Sequence, residues 1–330
     1  MLTSLEICAG GGGQALGLER AGFEHLGLVE IDEHACNTLR SNRPEWNVIC
    51  GDLRQFSGKK FRGIDLLAGG VPCPPFSVAG RQLGTDDDRD MFPEAIRLVA
   101  EIRPKAVMLE NVRGLFDPKF EKYRMSILAS LKQIGYQAEW RLIQSSDFGV
   151  PQLRPRTILV AFHDKLNVNF TWPKMDLPTK TVGETLFDLM SERGWERVDQ
   201  WSAKANTIAP TLVGGSKKHG GPDLGPTRAK KAWLNIGIDG SGVADMAPDK
   251  YFEGNPKLTV RMTARIQGFP DSWLFSGKKT AGYRQVGNAF PPPVAEGIGK
   301  AIAYVLQKSD NYGKSVIISA GKKKVPSVIA

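Results

Sequence analysis

The feature that most restricts the fold is a strand running into a glycine loop: Leu5-Glu6-Ile7-Cys8, then Ala9-Gly10-Gly11-Gly12-Gly13-Gln14-Ala15-Leu16-Gly17. Gly10, Gly12 and Ala15 meet the G-x-G-x-x-G/A spacing at a strand-to-helix turn, where glycines bring backbone close to a ligand at the positive end of a helix. Glu30 closes the next strand, where a carboxylate can accept both ribose hydroxyls. Asp52, after a third strand in Cys50-Gly51-Asp52-Leu53, is placed to accept from an adenine amino group. Together these residues point to an adenosine-containing ligand. They do not separate a dinucleotide from S-adenosylmethionine, and the loop taken alone is also an ordinary tight turn.

The chain around this loop alternates short apolar runs with helical patterns. Leu2–Cys8, Leu26–Glu30, Val48–Cys50, Ile64–Ala68, Ala106–Leu109 and Thr157–Phe162 are predicted strands of an α/β fold: a Rossmann-like, mostly parallel, doubly wound sheet. From Asp164 to Leu258 the pattern breaks into Gly, Pro, Lys and Trp, with one short helix predicted over Val182–Met190. Regular structure returns near Thr263 and in a helix over Val294–Gln307. The expected division is a catalytic and cofactor-binding unit over 1–163 and 275–308, a smaller irregular unit over 164–274, and a mobile basic tail over 309–330.

Composition narrows the partners. The formal charge of +9 favours a polyanion, because neutralising phosphates releases counterions. No apolar stretch is long enough for a membrane helix, and the first residues lack the basic start and apolar run of a signal peptide, so a cytoplasmic location is expected. Cys8, Cys36, Cys50 and Cys73 have neither metal-ligand spacing nor the density of a disulfide scaffold. No metal is expected, and any one thiol can be chemically active.

Two further loops leave the sheet at the same carboxyl edge as the glycine loop: Gly69-Gly70-Val71-Pro72-Cys73-Pro74-Pro75-Phe76-Ser77 after the fourth predicted strand, and Glu110-Asn111-Val112 after the fifth. Separately, Cys73 reads as an inert loop thiol and Glu110 as a helix-start carboxylate. In an open parallel sheet they converge with the ligand loop.

With Gln152-Leu153-Arg154-Pro155-Arg156, the segment from Leu258 to Pro270, and Tyr283-Arg284-Gln285-Val286-Gly287-Asn288-Ala289-Phe290-Pro291-Pro292, the chain resembles the DNA cytosine-5 methyltransferases. Six blocks stand in the family's order, over about 2–162 and 258–305. The pattern departs from the family's at Glu6, usually Asp, at Cys8, usually aromatic, at Val71, usually proline, and at Pro74, usually glutamine.

The resemblance implies methyl transfer from S-adenosyl-L-methionine to carbon 5 of a cytosine flipped out of double-stranded DNA, leaving S-adenosyl-L-homocysteine. It also implies a chain acting as a monomer, beside which a restriction endonuclease can exist. Cys73 would be the nucleophile, Glu110 the group at cytosine N3, and Arg154 and Arg156 the cations favouring thiolate and gripping the target. Cys8, Ala9, Gly10, Gly12, Gly13, Glu30, Ile31, Asp52, Leu53, Pro72, Asn288 and Ala289 would form the cofactor site. Asn111 would hold either the Glu110 carboxylate or a loop backbone.

The region 164–258 matches no general block, as expected where a target sequence is encoded. Ala209-Pro210-Thr211-Leu212-Val213 resembles the Thr-Leu element of such regions. From Lys204 to Lys231, Lys204, Lys217, Lys218, Arg228, Lys230 and Lys231 face one acid, Asp223. A solvated flexible loop would read the same way. The expected DNA contacts are Ser77, Gln152, Thr211, Leu212, Lys217, Lys218, Arg228, Arg265 and Gln267, with Arg228 suited to bidentate guanine reading and the lysines to phosphate. Arg265 and Gln267 also read as organisers of the smaller unit. Gly214, Gly215, Gly220 and Gly221 would let the loop follow a groove.

Three other readings compete. An RNA cytosine methyltransferase usually carries a cysteine motif in the region that here has none. A silent DNA-binding regulator does not need Cys73, Glu110, Arg154 and Arg156 intact. An NAD-dependent dehydrogenase has only the glycine loop in its favour.

Overall fold

A computed structural model describes residues 1–72, 90–175, 177–215 and 221–320, with side chains through Ser309. Seven strands form one sheet in the order β3-β2-β1-β4-β5-β7-β6: β1 Leu2–Ile7, β2 Phe23–Glu30, β3 Val48–Cys50, β4 Leu66–Gly70, β5 Ala106–Val112, β6 Tyr136–Gln144 and β7 Pro155–His163. The first five are parallel to their neighbours, and β7 runs antiparallel between β5 and β6. All six predicted strands are present. β6 went unread because it is an edge strand whose outward positions are polar and exposed, so Tyr136-Gln137-Ala138-Glu139-Trp140-Arg141 shows no apolar run.

Alternating side chains feed two cores, as the two-residue period of a strand requires. Leu5, Ile7, Leu67, Val107 and Leu109 face α3 (Phe92–Ile102) and α4 (Glu121–Gln133). Leu66, Ala68, Ala106 and Met108 face α10 (Pro292–Ala320) and Leu18 of α1 (Gly13–Arg20). The helix predicted to end at Gln307 thus continues to Ala320, past the start of the expected tail.

The smaller unit is irregular in backbone but dense inside. Trp195, Trp201 and Trp233 are buried among Leu186, Leu189 and Met190 of α5 (Val182–Ser191), the helix predicted from sequence. A capping box starts α5: the Thr181 hydroxyl accepts from the Glu184 N–H, and the Glu184 carboxylate accepts from the Thr181 N–H. This core is continuous with Leu16 of α1 and Leu39 of α2 (Glu33–Asn42), through Phe269, Trp273 and Tyr283. The chain neighbours of the 275 boundary therefore share one apolar core. No described helix is long and apolar enough to cross a membrane.

Candidate active site

Strand order reverses between β1 and β4, so their loops part to opposite sides and leave a crevice at the carboxyl edge. A cleft of about 580 Å³ occupies it, lined by Cys8–Gly11, Gly13, Glu30–Asp32, Gly51–Arg54, Gly70, Pro72, Glu110, Asn288 and Ala289 among others.

The glycine loop has its shape for two reasons. Gly10 and Gly12 adopt φ of +54° and +86°, where a side chain is strained. At Gly12 and Gly13 there is also no room: a Cβ would stand 2.7 Å from Leu39 and Trp273 at the first, and 2.2 Å from the Phe290 carbonyl at the second. Trp273 further donates from Nε1 to the Gly11 carbonyl at 3.0 Å. Gly12 therefore caps α1 rather than facing the cleft, whereas Gly11, not singled out from sequence, faces it.

Glu30 organises the wall opposite. Its carboxylate accepts from the Gly10 N–H at 2.7 Å, the Ile31 N–H at 2.9 Å and the Asp32 N–H at 2.8 Å. Asp52 sits at the rim, bound to Arg54 at 2.6 Å, and this contact holds its carboxyl below the ordinary range. Ile31 is 65% exposed at the mouth, while Leu53 is buried beneath it.

Sequence reasoning did not assign Glu6 or Gln14 to the site. Both are buried at the cleft; the Gln14 amide finds no hydrogen-bond partner, and the Glu6 carboxyl has the Ala15 backbone N–H beside it. Burial first, then repulsion from Glu30, pushes the Glu6 carboxyl well up, toward its neutral form. For Glu6 the available signal was an acid between Leu5 and Ile7 at the end of the strand that feeds the glycine loop. Cys8 adopts φ +53°, and burial together with Glu30, Glu6 and Asp52 pushes its thiol up, so it is no candidate nucleophile.

At the other end of the cleft, Glu110 lies in register with Gly70, and its Oε2 would be 3.4 Å from a Cβ at that glycine. Burial raises the Glu110 pKa; Arg156, and then Arg154, oppose that. Arg156 Nε stands 2.8 Å from Glu110 Oε1, both side chains only 9% exposed. The Asn111 amide donates to the Val71 carbonyl at 2.7 Å, so it holds loop backbone rather than the carboxylate. Met91 N–H donates to the Pro72 carbonyl at 3.0 Å, which fixes the point where the chain passes into Cys73. Cys73, Pro74, Phe76 and Ser77 lie outside the described residues, as do Lys217, Lys218 and Gly220.

The family model for C-5 cytosine-specific DNA methylases matches residues 2–304. The chain belongs to the C-5 cytosine-specific DNA methylases. It is 58% identical over 312 residues to the Type II methyltransferase M.NaeI of Lentzea aerocolonigenes, covering 92% of this chain and 75% of that one. It is 57% identical to the Type II methyltransferase M.NgoMIV of Neisseria gonorrhoeae, covering 93% and 99%. In fold it resembles the DNMT2 of Spodoptera frugiperda, with TM-score 0.64 at 18% identity over 92% of this chain and 99% of that one. The Dnmt2 methyltransferase of S. pombe gives 0.63 at 17% identity over 93% and 99%.

Several residues of this methylase expected at DNA or at the thiol are instead committed to a joint between its two units. Gln152 is fully buried, donating to Gln267 Oε1 at 2.6 Å and accepting from the Leu212 N–H at 2.8 Å. Gln267, also fully buried, donates to the Ala289 carbonyl at 2.5 Å. Arg154, 0% exposed, donates to the carbonyls of Leu212 at 2.7 Å, Gly287 at 2.7 Å and Ala289 at 3.0 Å. Thr211 donates to the Leu153 carbonyl at 2.5 Å. Arg265 is tied to Asp271 and to Asp188 at 2.5 Å, all three within the smaller unit rather than across the joint, as the reading of Arg265 as an organiser of that unit expects.

Gly214 serves packing here: a Cβ at Gly287 would stand 2.4 Å from its nitrogen, so α9 (Lys279–Asn288) and the loop that carries Gly214 meet backbone to backbone. Asn288 adds a bond to the Gly215 carbonyl at 3.1 Å. Of the basic residues, Lys230 pairs with Asp223 at 2.9 Å, while Arg228 and Lys231 are exposed on α7 (Thr227–Asn235).

Proposed function

We propose that this methylase transfers the methyl group of S-adenosylmethionine to carbon 5 of a flipped cytosine in double-stranded DNA, through a covalent bond from Cys73 to carbon 6. The observation that carries the reading is one continuous cleft bounded by Glu30 and the glycine loop at one end and by Pro72 and Glu110 at the other.

The residues fit the cofactor. Glu30, fixed by three N–H groups, presents a carboxylate oxygen to ribose hydroxyls. Glu6 and the unpartnered amide of Gln14, buried at the cleft, offer the cofactor polar atoms. Acidic walls suit a cation, and the bound sulfonium supplies an electrophilic methyl group. Carbon 5 of cytosine is too weak a nucleophile until a thiolate at carbon 6 breaks the aromatic system. Cys73 is that thiolate in our reading. Glu110, biased toward its protonated form by burial, donates to N3 as negative charge arrives there. Arg156 keeps that carboxyl oriented, and Arg154 holds the segment that carries Arg156. Neither carbon is reachable in a stacked duplex, so the base is flipped.

Arg228 and Lys231 on α7 face DNA, consistent with the net charge of +9. The two Type II methyltransferase relatives support a role in restriction-modification, protecting host DNA from a partner endonuclease. A duplex with 5-fluorocytosine at the target tests the chemistry, because fluorine cannot leave as a proton does. We expect a cofactor-dependent adduct that survives denaturing electrophoresis and vanishes in Cys73→Ser. An adduct mapping to another cysteine would overturn the assignment.

A further inference from the structure

Two thiols outside the proposed chemistry meet behind the cofactor wall. Cys36 lies in the first turn of α2 and is fully buried; Cys50 ends β3 and is exposed. Both converge on the backbone of Glu30. Cys50 is the register partner of Glu30, the Gly51 N–H donates to the Glu30 carbonyl at 2.8 Å, and the Cys36 thiol reaches the same carbonyl at 3.4 Å. Both residues therefore lie beside one carbonyl, near enough for the Cys50 thiol to influence the titration of Cys36.

We propose that Cys36 and Cys50 form an oxidation site, closed to a disulfide by a peroxide, that weakens cofactor binding. It rests on the reading of this cleft as the S-adenosylmethionine site. Exposure decides the order of events. A Cys50 thiolate attacks one peroxide oxygen, displaces hydroxide and becomes a sulfenic acid; the Cys36 sulfur then attacks the Cys50 sulfur, its proton leaving with the sulfenic hydroxyl as water. Two thiols and one hydrogen peroxide give one disulfide and two waters. Cys36 suits the second step because its burial keeps peroxide from reaching it first and its contact with the Glu30 carbonyl holds it beside the strand that carries Cys50.

The consequence follows from place. A disulfide draws two sulfurs to about 2.05 Å, well inside van der Waals contact. Here that pulls the first turn of α2 toward the end of β3. Asp32 and Ala35 on one, and Gly51 and Asp52 beyond the other, line the cleft, so the bond displaces the walls around Glu30.

The test uses the full chain carrying Cys73→Ala, which removes the thiol assigned to the methyl-transfer chemistry. After hydrogen peroxide and thiol blocking, non-reducing peptide mass analysis should find Cys36 linked to Cys50 with the loss of two hydrogens. The Kd for S-adenosylmethionine by titration calorimetry should rise about tenfold and return on reduction with dithiothreitol. Cys50→Ser should prevent both changes, and Cys36→Ala should leave a Cys50 sulfenic acid that dimedone traps. Oxidation of Cys50 to sulfinic acid without linkage, or linkage with unchanged affinity, would overturn the proposal. If the reduced protein failed to bind S-adenosylmethionine at all, the cofactor reading would fail instead, and the linkage would still be judged by mass.

Discussion

Arg156 and Arg154 stand two residues apart in one extended segment, yet they serve different regions. Arg156 pairs with Glu110 at the end of the cleft, whereas Arg154 is withdrawn into the joint, where three backbone carbonyls from two distant segments accept from its two terminal nitrogens. A charge facing a titratable partner can change a reaction; a charge bound to carbonyls holds chain segments together. Mutations in the two regions should therefore separate chemistry from stability.

The largest effect is expected at the cleft. In Glu110→Gln the single-turnover rate of methyl transfer should fall about 10²–10³-fold, the usual scale for a positioned acid. The pH dependence gives a sharper signature. Because the folded carboxyl titrates above its ordinary value, its contribution to stability is fully present below the unfolded pKa and is lost as pH rises through the folded one. The parent should lose both rate and stability across that window, and Glu110→Gln should lose neither there. A mutant with the parent's rate would remove Glu110 from the chemistry.

At the joint, Arg154→Ala should cost several kcal/mol of unfolding free energy, since each buried carbonyl left without its donor costs about 1–3 kcal/mol. Arg154→Lys should recover little, because an ammonium group cannot span three carbonyls as a guanidinium fork does. Denaturant unfolding checks both. If Arg154→Ala kept its stability and lost only rate, the contrast between the two arginines would be broken.

Gln267→Leu should cost about 1–3 kcal/mol by leaving the Gln152 amide N–H without its acceptor in the interior, while the Ala289 carbonyl keeps its bond from Arg154. DNA affinity measured on the remaining folded protein should be unchanged, which distinguishes a joint residue from a DNA contact. The smallest effect belongs to Arg228→Ala. Unfolding should match the parent, and the slope of log affinity against log salt should shrink by about 1 if the side chain meets a phosphate. An unchanged slope with relaxed sequence preference would assign it to a base edge.

The catalytic half was legible because its elements are local. Each strand of the parallel sheet is a short apolar run, and each of these loops follows one, so Gly10, Glu30, Pro72 and Glu110 could be assigned to one edge from order alone. β6 escaped because half of its surface is wet. The smaller unit escaped for another reason: its core rests on tryptophans at irregular spacing, with no helical or strand period to read.

By itself the sequence determined the fold class, the family and the chemistry-bearing loops, since these depend on residue type at fixed spacing along the chain. Tertiary structure alone decided that Trp273 shapes the glycine loop from 262 residues away, that Gln152 binds Gln267 across 115, and that Cys36 meets Cys50 behind Glu30. Hydrogen bonds and packing act over a few ångströms in space, and no spacing rule encodes which distant residues the folded chain brings that close.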